Sequence, residues 1–434
     1  MKKAFAISAA AVLTMTCGCG KIKDNDSSSK TEPMSVSTSA STSPVTTAAE
    51  TTSVTTTTTT KPKPKQQLLM ESRQKLGVYE KVKLSDFITE TNAVLSEPDT
   101  LVDTSQTGAL DITVKYELDG VQAEKKLAYT VEDTTAPILL NSGYSATHVR
   151  GTAFDLKNYV GYADDYDRSP VLTYTGTVDT MTNGKYPITA TVTDSSGNAT
   201  TWDLTITVAD SIPQQQYGTS STPFASFVAA NRSTDPDVRY GIDVSEWQGN
   251  IDFDAVKSAG CSFVFMRAGY GYRNITEDKW FRENLRKAKA AGIDTGIYFY
   301  SGASNVEAAR EQARWVCEQL GGTPIELPIA FDFEDFGTFQ EFGMSLHDLN
   351  ELYFAFADEV EKHGHTSILY SSKNFLESTW TEDAKSAHGV WLAHYIDKTN
   401  YTGDYAVWQG ASDGQISGID GYVDLNVMYK KFPL

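Results

Sequence analysis

Two acidic residues two positions apart in an apolar segment are the strongest candidates for chemistry in this sequence. Asp332 and Glu334 stand in the run 329–334, which also contains Phe331 and Phe333. If this run is a β-strand, both carboxyl groups point to one face and both phenylalanines to the other. Neighbouring carboxyl groups repel each other, so one keeps its proton where the other is ionised. One protonated and one ionised carboxyl group are together what hydrolysis of a glycosidic bond requires.

The elements around this pair predict how it is positioned. From Arg239 onward, apolar runs alternate with amphipathic helical stretches, which is typical of βαβ units. The predicted strands are 240–244, 262–268, 295–300, 329–334, 367–370, 390–395, 406–409 and 422–426. The predicted helices are 253–259, 281–291, 306–320 and 346–362. We therefore expect residues 237–434 to form an α/β barrel of a modified TIM type, with about eight strands and about five helices.

Parallel barrels carry their active sites at the C-terminal ends of the strands. Asp243 ends the first predicted strand, Asp332 and Glu334 end the fourth, and Asp424 lies in the last. We expect these four carboxyl groups to converge at the mouth of the barrel as catalytic residues. The alternative is a purely structural ion-pair network with Arg267, but inward-facing carboxylates without a role are costly.

Aromatic residues gather near the predicted strand ends. Sugar rings present apolar faces that pack on aromatic side chains, while their hydroxyl groups need polar partners. Packing in the protein core is the alternative for each aromatic residue taken alone. The predicted substrate-binding residues are Arg267, Tyr298, Tyr300, Tyr370, Trp391, Tyr395, Trp408 and Gln409.

Composition and motifs exclude several other functions. The formal charge of -19 argues against nucleic acid as a partner, because phosphate binding needs clustered lysine and arginine. The sequence contains no HExxH zinc motif, no GxSxG nucleophile elbow and no phosphate-binding loop of the GxxxxGK type. We predict no metal and no cofactor, and we expect a monomer. Calcium binding by Asp164, Asp165 and Asp167 is a weaker alternative, because acidic loops are usually only solvated.

The N-terminal residues are typical of an exported protein. Two lysines precede an apolar run that is too short for a membrane-spanning helix. A small residue directly before Cys19 resembles a bacterial lipoprotein processing site, which predicts residues 1–19 as a signal peptide and Cys19 as the lipidated residue. Cys17 as the lipidated residue and an ordinary secretory peptide are the alternatives. The Ser/Thr-rich stretch 20–66 is predicted to be a disordered linker.

An internal repeat occupies the region between this linker and the predicted barrel. The motif VDT at 102–104 recurs at 178–180, and each copy ends in segments whose apolar and polar residues alternate. Alternation with β-branched residues, bounded by turn signals, predicts half-buried antiparallel strands. We therefore expect two all-β immunoglobulin-like sandwiches, one over residues 67–134 and one over 135–210.

The sandwiches are expected to act as spacers. The segments DTTAP (133–137) and DSSGN (194–198) resemble the bacterial immunoglobulin-like modules of surface proteins. Residues 211–236 return to a Ser/Thr/Gln/Pro-rich composition and are predicted to be a second linker. Cys261 and Cys317 are expected to be separate buried thiols, with a disulfide as the alternative.

The C-terminal part resembles family 25 of the glycoside hydrolases, the bacterial and phage muramidases. The resemblance covers essentially all of 239–429, and its order and spacing of motifs are specific. The matching segments are GIDVS (241–245), WQG (247–249), RAGYG (267–271), GIYFY (296–300), DFE (332–334), WLAHY (391–395), WQ (408–409) and VDLN (423–426).

This resemblance implies a muramidase that cleaves the β-1,4 bond between N-acetylmuramic acid and N-acetylglucosamine in peptidoglycan. It implies that Glu334 is the general acid and then the base, and that Asp332 orients the substrate's N-acetyl group. A direct nucleophilic role for Asp332 is the alternative. Asp243 and Asp424 would shape the pocket and tune the protonation of the pair.

Peptidoglycan strands are therefore the expected partner, and a lipid anchor is expected to hold the protein on the outer face of the bacterial cytoplasmic membrane. Secretion into the cell wall is the alternative location. Two other functions remain open from the sequence. One is a surface protein that binds glycan without hydrolysing it, and the other is a hydrolase of another N-acetylated glycan.

Overall fold

The computed structural model describes residues 65–140, 145–213, 221–272 and 274–429. The predicted signal peptide, the predicted lipidation site Cys19 and nearly all of the first predicted linker lie outside the described residues. Within the described part of the chain, no helix has the length and apolar character needed to cross a membrane.

The first β unit, called module 1, begins at residue 65. Its elements are β1 (Met70–Ser72), β2 (Lys75–Gly77), α1 (Leu84–Phe87), β3 (Ile88–Thr91), β4 (Val94–Leu95), β5 (Gly108–Leu118) and β6 (Val121–Glu132). A four-stranded sheet of order β2-β6-β5-β4 stands beside the two-stranded sheet β1-β3. Both sheets contribute to one apolar core, in which Phe87, Val114 and Val131 are fully buried.

The second β unit, called module 2, follows directly. Its elements are β7 (Ile138–Leu139), β8 (Ser145–Val149), β9 (Tyr162–Ala163), β10 (Val171–Gly176), β11 (Gly184–Thr193) and β12 (Ala199–Ala209). The sheet order is β10-β11-β12-β8, with β7 and β9 as a separate pair. The predicted alternation is confirmed on β11, where Ile188, Ala190 and Val192 are buried and the threonines between them are not.

The sequence repeat corresponds to one repeated hairpin. Gly108 at the start of β5 pairs with Val131 on β6, and Gly184 at the start of β11 pairs with Val208 on β12. In the sequence, each of these glycines follows the VDT motif of its own copy by the same four residues. The sheet orders correspond as well, because β2 pairs in parallel with the last residues of β6 in module 1 and β8 pairs in parallel with the last residues of β12 in module 2.

The remaining described residues form a barrel with helices around it. The strands are β13 (Thr222–Pro223), β14 (Arg239–Val244), β15 (Phe263–Gly271), β16 (Ile275–Glu277), β17 (Asp294–Ser301), β18 (Ile329–Asp332), β19 (Ser367–Ser372), β20 (Val390–Ala393), β21 (Val407–Gln415) and β22 (Val423–Met428). The helices are α2 (Phe224–Ala230), α3 (Phe253–Ser258), α4 (Phe281–Ala290), α5 (Val306–Leu320), α6 (Leu346–Lys362), α7 (Lys373–Ser378) and α8 (Glu382–His388).

Eight strands close the barrel in the order β21-β20-β19-β18-β17-β15-β14-β22, and β22 pairs back onto β21. Neighbouring strands from β14 to β21 are parallel, whereas β22 is antiparallel to both β14 and β21. The barrel therefore differs from an all-parallel (β/α)₈ barrel at its closing strand. The link from β21 to β22 spans only residues 416–422, and a connection this short joins neighbouring strands as an antiparallel pair.

Two apolar layers surround the strands. Residues such as Val264, Phe331 and Leu392 point outward and pack against the helices. Phe265 and Trp391 point inward and fill the barrel interior. The predicted outward direction of Phe331 and Phe333 is confirmed, because both lie in the outer layer.

Three sequence predictions in this region need correction. Strand β18 ends at Asp332, so Glu334 follows the strand and does not lie in it. Part of the predicted second linker belongs to the barrel domain, because β13 joins β21 and α2 buries Phe224 and Phe227. Helices α7 and α8 were not predicted, since six- and seven-residue segments are too short to show a clear helical period.

Module 2 is joined to the barrel at the start of α6. Backbone N–H groups of Leu346 and His347 donate to the carbonyl oxygens of Asp164 and Asp165 over 2.8 and 3.3 Å. Arg168 forms a two-pronged ion pair with Asp348, with N–O distances of 2.6 and 2.8 Å. Module 1 reaches the same helix.

The contact of module 1 with α6 is an aromatic stack. The ring of Tyr79 lies 3.6 Å from that of His347, with an angle of 11° between the planes. Cys261 and Cys317 lie elsewhere in the barrel domain as free, buried thiols, as expected.

Candidate active site

Four carboxyl groups meet at one end of the barrel. Asp243 lies near the C-terminal end of β14, and Asp332 and Glu334 lie at and just beyond the end of β18. Asp424 is near the beginning of β22, yet it reaches the same end because β22 runs antiparallel to its neighbours. The four carboxyl groups therefore converge as predicted. Asp424 lies at the mouth because β22 is antiparallel; near the start of a parallel strand it would lie at the opposite end.

Asp243 is held by two amide groups. Its Oδ2 atom accepts hydrogen bonds from Nε2 of Gln409 at 2.8 Å and from Nδ2 of Asn426 at 2.7 Å. Asn426 is fixed in turn, because Nε1 of Trp391 donates to its Oδ1 at 2.8 Å. This chain of buried hydrogen bonds leaves Asp243 a single orientation.

Gln409 is also fixed by its neighbours. The hydroxyl groups of Tyr370 and Tyr395 both donate to its Oε1 at 2.9 Å. Gln409 is buried, so it acts as a support for Asp243 and is not itself an open contact surface for substrate. Asn426 was missed as a site residue, although its place two residues after Asp424 on one strand puts both on the same face.

Asp243 and Asp424 share a hydrogen bond and face each other in the register of β14 and β22. Burial raises the pKa of Asp243 to about 6, while hydrogen bonds from Asn426, Gln409 and Asp424 oppose that rise. Burial and the charge of Asp243 raise the pKa of Asp424 well above its ordinary value. Burial and mutual repulsion therefore favour one proton shared between the two carboxyl groups.

Asp332 is a buried residue whose carboxyl group has one oxygen, Oδ1, without a hydrogen-bond partner among the described residues. Burial and the negative charges of Glu334 and Asp243 raise its pKa well above the ordinary value, and Arg267 acts in the opposite direction. A buried polar atom without a partner is costly, and it is available to a bound ligand.

Glu334 stands closer to solvent than Asp332. The residue is exposed at the barrel mouth, but protein atoms surround its carboxyl group closely enough to displace much of its hydration. This desolvation, with the charges of Asp335 and Asp243, raises the pKa of Glu334 to about 7, and the Tyr370 hydroxyl opposes the rise. The group is therefore partly protonated at neutral pH, as a carboxylic acid that donates a proton must be.

The predicted aromatic residues divide into a floor and a rim. Trp391 is fully buried in the barrel interior, where Tyr370 packs edge-on at 4.9 Å and Tyr298 at 6.2 Å between ring centroids. These three rings form a floor below the carboxyl groups. Tyr395, by contrast, remains exposed at the mouth while its hydroxyl group is anchored on Gln409.

Exposed aromatic residues that were not predicted as site residues complete the rim. Trp247 is 79% exposed in the short 3-10 turn after β14, and Tyr272 and Tyr422 are also exposed. Tyr272 follows β15 and Tyr422 precedes β22, so both belong to the same end of the barrel as Tyr395. Their position within four residues of a predicted strand end was a usable signal in the sequence.

Of the predicted substrate contacts, Trp408 lies away from the cleft, whereas Tyr300 and Arg267 lie near the carboxyl groups at the mouth. Trp408 is buried in the outer layer near Phe227 of α2, with its Nε1 donating to the carbonyl oxygen of His394 at 2.9 Å, so it does not reach the cleft. Tyr300 is half-buried and its hydroxyl donates to Asp335 at 3.4 Å. Arg267 is ion-paired with two carboxylates outside the group of four at the mouth.

Arg267 forms ion pairs with Glu246 at 2.9 Å and with Asp278 at 2.8 Å. The side chain of Asp278 is only 1% exposed, so this pair is enclosed. Arg267 thus forms a structural ion-pair network, but its partners are other carboxylates and not the four at the mouth, so the structural alternative does not account for those four. Arg267 lies close enough to influence Asp332 by charge alone.

Comparisons with known proteins agree with this geometry. Residues 242–419 match the model for Glycosyl hydrolases family 25, and residues 138–208 match the model for the Ig-like domain of bacterial surface proteins. The chain is 27% identical over 187 residues to an autolytic lysozyme of Clostridium acetobutylicum, which covers 43% of this chain and 54% of that protein. It is 29% identical over 198 residues to lysozyme M1 of Streptomyces globisporus, covering 43% and 66%.

Among solved structures, a bacterial lysozyme from Streptomyces coelicolor is 25% identical and covers 45% of this chain and 94% of that chain, with a TM-score of 0.38. Compared with the autolytic lysozyme of Clostridium acetobutylicum, the chain spans about half of that protein's length. Its C-terminal part is a glycoside hydrolase domain. That domain belongs to glycosyl hydrolase family 25, and a bacterial surface Ig-like domain precedes it.

Proposed function

We propose that this protein is a muramidase that hydrolyses the β-1,4 bond between N-acetylmuramic acid and N-acetylglucosamine in peptidoglycan. The observation that carries the proposal is the cluster of Asp243, Asp332, Glu334 and Asp424 at one barrel mouth, with raised pKa values throughout. The family of the domain and the lysozymes among its relatives support this substrate.

Glu334 is assigned the role of general acid. With a pKa of about 7 it carries a proton in a large fraction of molecules at neutral pH, and it faces the open mouth. It donates this proton to the glycosidic oxygen as the bond to the leaving sugar breaks. The resulting carboxylate then removes a proton from the attacking water.

Asp332 is assigned to the substrate's N-acetyl group. Its buried, unpartnered Oδ1 is an acceptor for the acetamido N–H, and such a bond would turn the acetamido oxygen toward the anomeric carbon. In its ionised form Asp332 would also stabilise the positive charge that develops there. Direct attack by Asp332 on the anomeric carbon is the second mechanism that this carboxyl group permits.

Asp243 and Asp424 are assigned to the floor of the pocket. The fixed carboxylate of Asp243 raises the pKa values of both Asp332 and Glu334 by charge. Asp243 therefore helps keep the proton on the acid. Tyr298, Tyr370 and Trp391 form the apolar floor, while the exposed rings of Trp247 and Tyr395 are suited to pack against sugar faces.

The proposed location is the bacterial cell wall, with the protein held as a lipid-anchored monomer. Cys19 would carry the lipid, and module 1 would be a second immunoglobulin-like spacer beside module 2. Labelled fatty acid supplied to producing cells tests the anchor. Incorporation that is lost in Cys19→Ser and kept in Cys17→Ser would support Cys19 as the attachment site.

Digestion of purified peptidoglycan, followed by labelling of new reducing ends, tests the proposed activity. New ends on N-acetylmuramic acid are expected from the wild-type protein and not from Glu334→Gln. Retention on peptidoglycan without any new ends would instead indicate a glycan-binding surface protein. New reducing ends that form only on a different N-acetylated polymer would indicate that this polymer is the substrate.

A further inference from the structure

Three aspartates from separate parts of the chain meet at the junction of module 1, module 2 and the barrel. Asp133 follows β6, Asp164 follows β9, and Asp194 lies in the turn between β11 and β12. One carboxylate oxygen from each lies within 4.8 Å of the other two. All three residues are buried, with exposed fractions of 7%, 1% and 6% in chain order.

Two of the three carboxylates have a buried oxygen without a partner. Oδ1 of Asp133 accepts from the N–H and hydroxyl groups of Thr135, and Oδ1 of Asp164 accepts from the N–H groups of Tyr166 and Asp167. Each Oδ2, in contrast, is buried and has no hydrogen-bond partner among the described residues. Local turns therefore use one oxygen of each carboxylate and leave the other free.

The carboxylate of Asp194 belongs to the same cluster but is held by its own turn. Its two oxygens accept from the N–H and side-chain amide groups of Asn198, both at 2.8 Å. The amide of Asn198 also donates to the carbonyl oxygen of Asp133 at 3.2 Å, which joins the two segments. Asn198 thus braces Asp194 and Asp133 at a fixed separation.

The charges around this cluster are negative. The charged groups that act on Asp164 are Asp165 and Asp133, and burial raises the pKa of Asp164 to about 6. Arg168, the cationic residue nearest in sequence, is committed to Asp348 on α6. Buried carboxylates without a cationic partner are costly, so the arrangement calls for a positive charge that the described side chains at this point do not supply.

We propose that Asp133, Asp164 and Asp194 bind a calcium ion at this junction. Calcium lies about 2.4 Å from its ligands, so three oxygens within 4.8 Å of one another come into reach of one ion with small side-chain shifts. A set of carboxylate oxygens suits a hard cation such as calcium and does not suit zinc, which prefers nitrogen and sulfur. The calcium alternative from the sequence grouped Asp164 with its chain neighbours Asp165 and Asp167. The other members of this cluster are instead Asp133 and Asp194.

The bound ion would tie three structural units together. Asp133 lies on the segment that leaves module 1, and Asp194 lies in a hairpin turn of module 2. The carbonyl oxygen of Asp164 accepts the N–H of Leu346 at the start of α6. Calcium would therefore rigidify the junction without contacting the barrel mouth, which makes this site independent of the proposed catalytic groups.

Calorimetric titration of calcium into the chelator-treated full chain tests the proposal. One saturable site is expected, together with a rise in Tm and slower proteolysis at residues 133–137, because a ligand that binds the folded state stabilises it. Asp164→Asn keeps the acceptor oxygen for the turn and removes one charge, so calcium affinity should fall by about ten-fold or more. Asp179→Asn is the matched control, because Asp179 makes a similar turn with Met181 on the exposed surface of module 2.

The absence of a saturable calcium site in the wild-type chain would overturn the proposal, whatever the variants do. Equal affinity in Asp164→Asn and Asp179→Asn would overturn it as well. If Asp164→Asn does not fold, Asp194→Asn supplies the same comparison. Peptidoglycan hydrolysis in the same samples keeps this result separate from the proposed function, because loss of calcium binding with hydrolysis retained is the expected outcome for Asp164→Asn.

Discussion

Asp243 faces Asp424 directly across the antiparallel pairing of β14 and β22. This register brings the first and last barrel strands together at the mouth, where their two carboxyl groups share one proton. The pair lies beside Asp332 and Glu334, so its net charge acts on both. A closing strand of reversed direction therefore contributes directly to the electrostatics of the site.

Replacing Glu334 with glutamine is expected to lower kcat by about 10²–10⁴-fold, because a neutral amide cannot donate the proton. Release of new reducing ends from peptidoglycan measures the effect, and circular dichroism checks the fold. Glu341→Gln is a matched control, since Glu341 is an exposed residue on the 3-10 segment after Glu334. Full activity in Glu334→Gln would remove Glu334 from the role of acid.

The raised pKa of Glu334 predicts a falling activity on the alkaline side. The acid must be protonated, so kcat/KM should decrease as the pH rises through about 7. The same shift affects stability. The folded state binds more protons than the unfolded state between the ordinary glutamate pKa of 4.5 and about 7, so the stability contributed by this group falls as the pH rises through that interval. Glu334→Gln should therefore show a weaker decrease of Tm between pH 5 and pH 8 than the wild-type protein, and equal decreases would contradict the shift.

Removing the exposed ring of Trp247 is expected to weaken substrate binding while leaving stability unchanged. An aromatic contact is worth about 0.5–1.5 kcal/mol, so KM for soluble glycan fragments should rise about 2- to 10-fold in Trp247→Ala. Steady-state kinetics give KM and kcat separately. Tyr174→Ala serves as the control, because Tyr174 is an exposed aromatic residue on module 2. A Trp247→Ala enzyme with unchanged KM would exclude this ring from the binding surface.

Asn426→Ala is expected to reduce both stability and activity. The change removes a donor from Asp243 and leaves Nε1 of Trp391 without its acceptor, at a cost of about 1–3 kcal/mol for the unsatisfied buried group. Thermal unfolding followed by tryptophan fluorescence measures the loss. Asn250→Ala, which alters an exposed asparagine of the same domain, should have little effect. Similar Tm values for both variants would show that the buried chain of hydrogen bonds is not needed.

Arg267→Met separates a structural role from a substrate contact. Asp278 would lose the charge that neutralises it inside the protein, so the barrel domain should be destabilised by about 3–5 kcal/mol. Urea unfolding monitors this change, and Arg286→Ala at an exposed ion pair provides a control that leaves the transition in place. A stable Arg267→Met protein with only a raised KM would indicate that Arg267 contacts the substrate.

Much of the catalytic core was predictable because periodicity and strand ends determine which side chains share a face. The bounds of α5 and α6 agree with the predicted helices residue for residue, since both have long amphipathic patterns and side-chain caps at Asn305 and Ser345. The convergence of Asp243, Asp332 and Glu334 follows from parallel neighbours. These features depend on local sequence and on one general property of barrels.

Other features depended on long-range contacts that no local pattern encodes. The direction of β22 is set by pairing with β14 and β21, and the sequence 423–428 has the same alternation in either direction. Trp408 was expected in the cleft because it is aromatic and near a strand end, whereas α2 packs over its outer face. The aspartate cluster at the junction joins residues from three separate turns, and the segments DTTAP and DSSGN gave no sign that Asp133 and Asp194 meet Asp164.

The shared first turn of α6 affects the direction in which the cleft can point. Hydrogen bonds from Leu346 and His347, with the ion pair between Arg168 and Asp348, make this turn part of module 2 as well as of the barrel. A barrel attached in this way does not swivel freely on its neighbour. Under the proposed function, a rigid wall polymer would be cut only where its strands run along the line that the β modules allow. The distribution of cleaved bonds in an intact wall would then depend on the orientation that the modules give the cleft, as well as on the chemistry of the cleft.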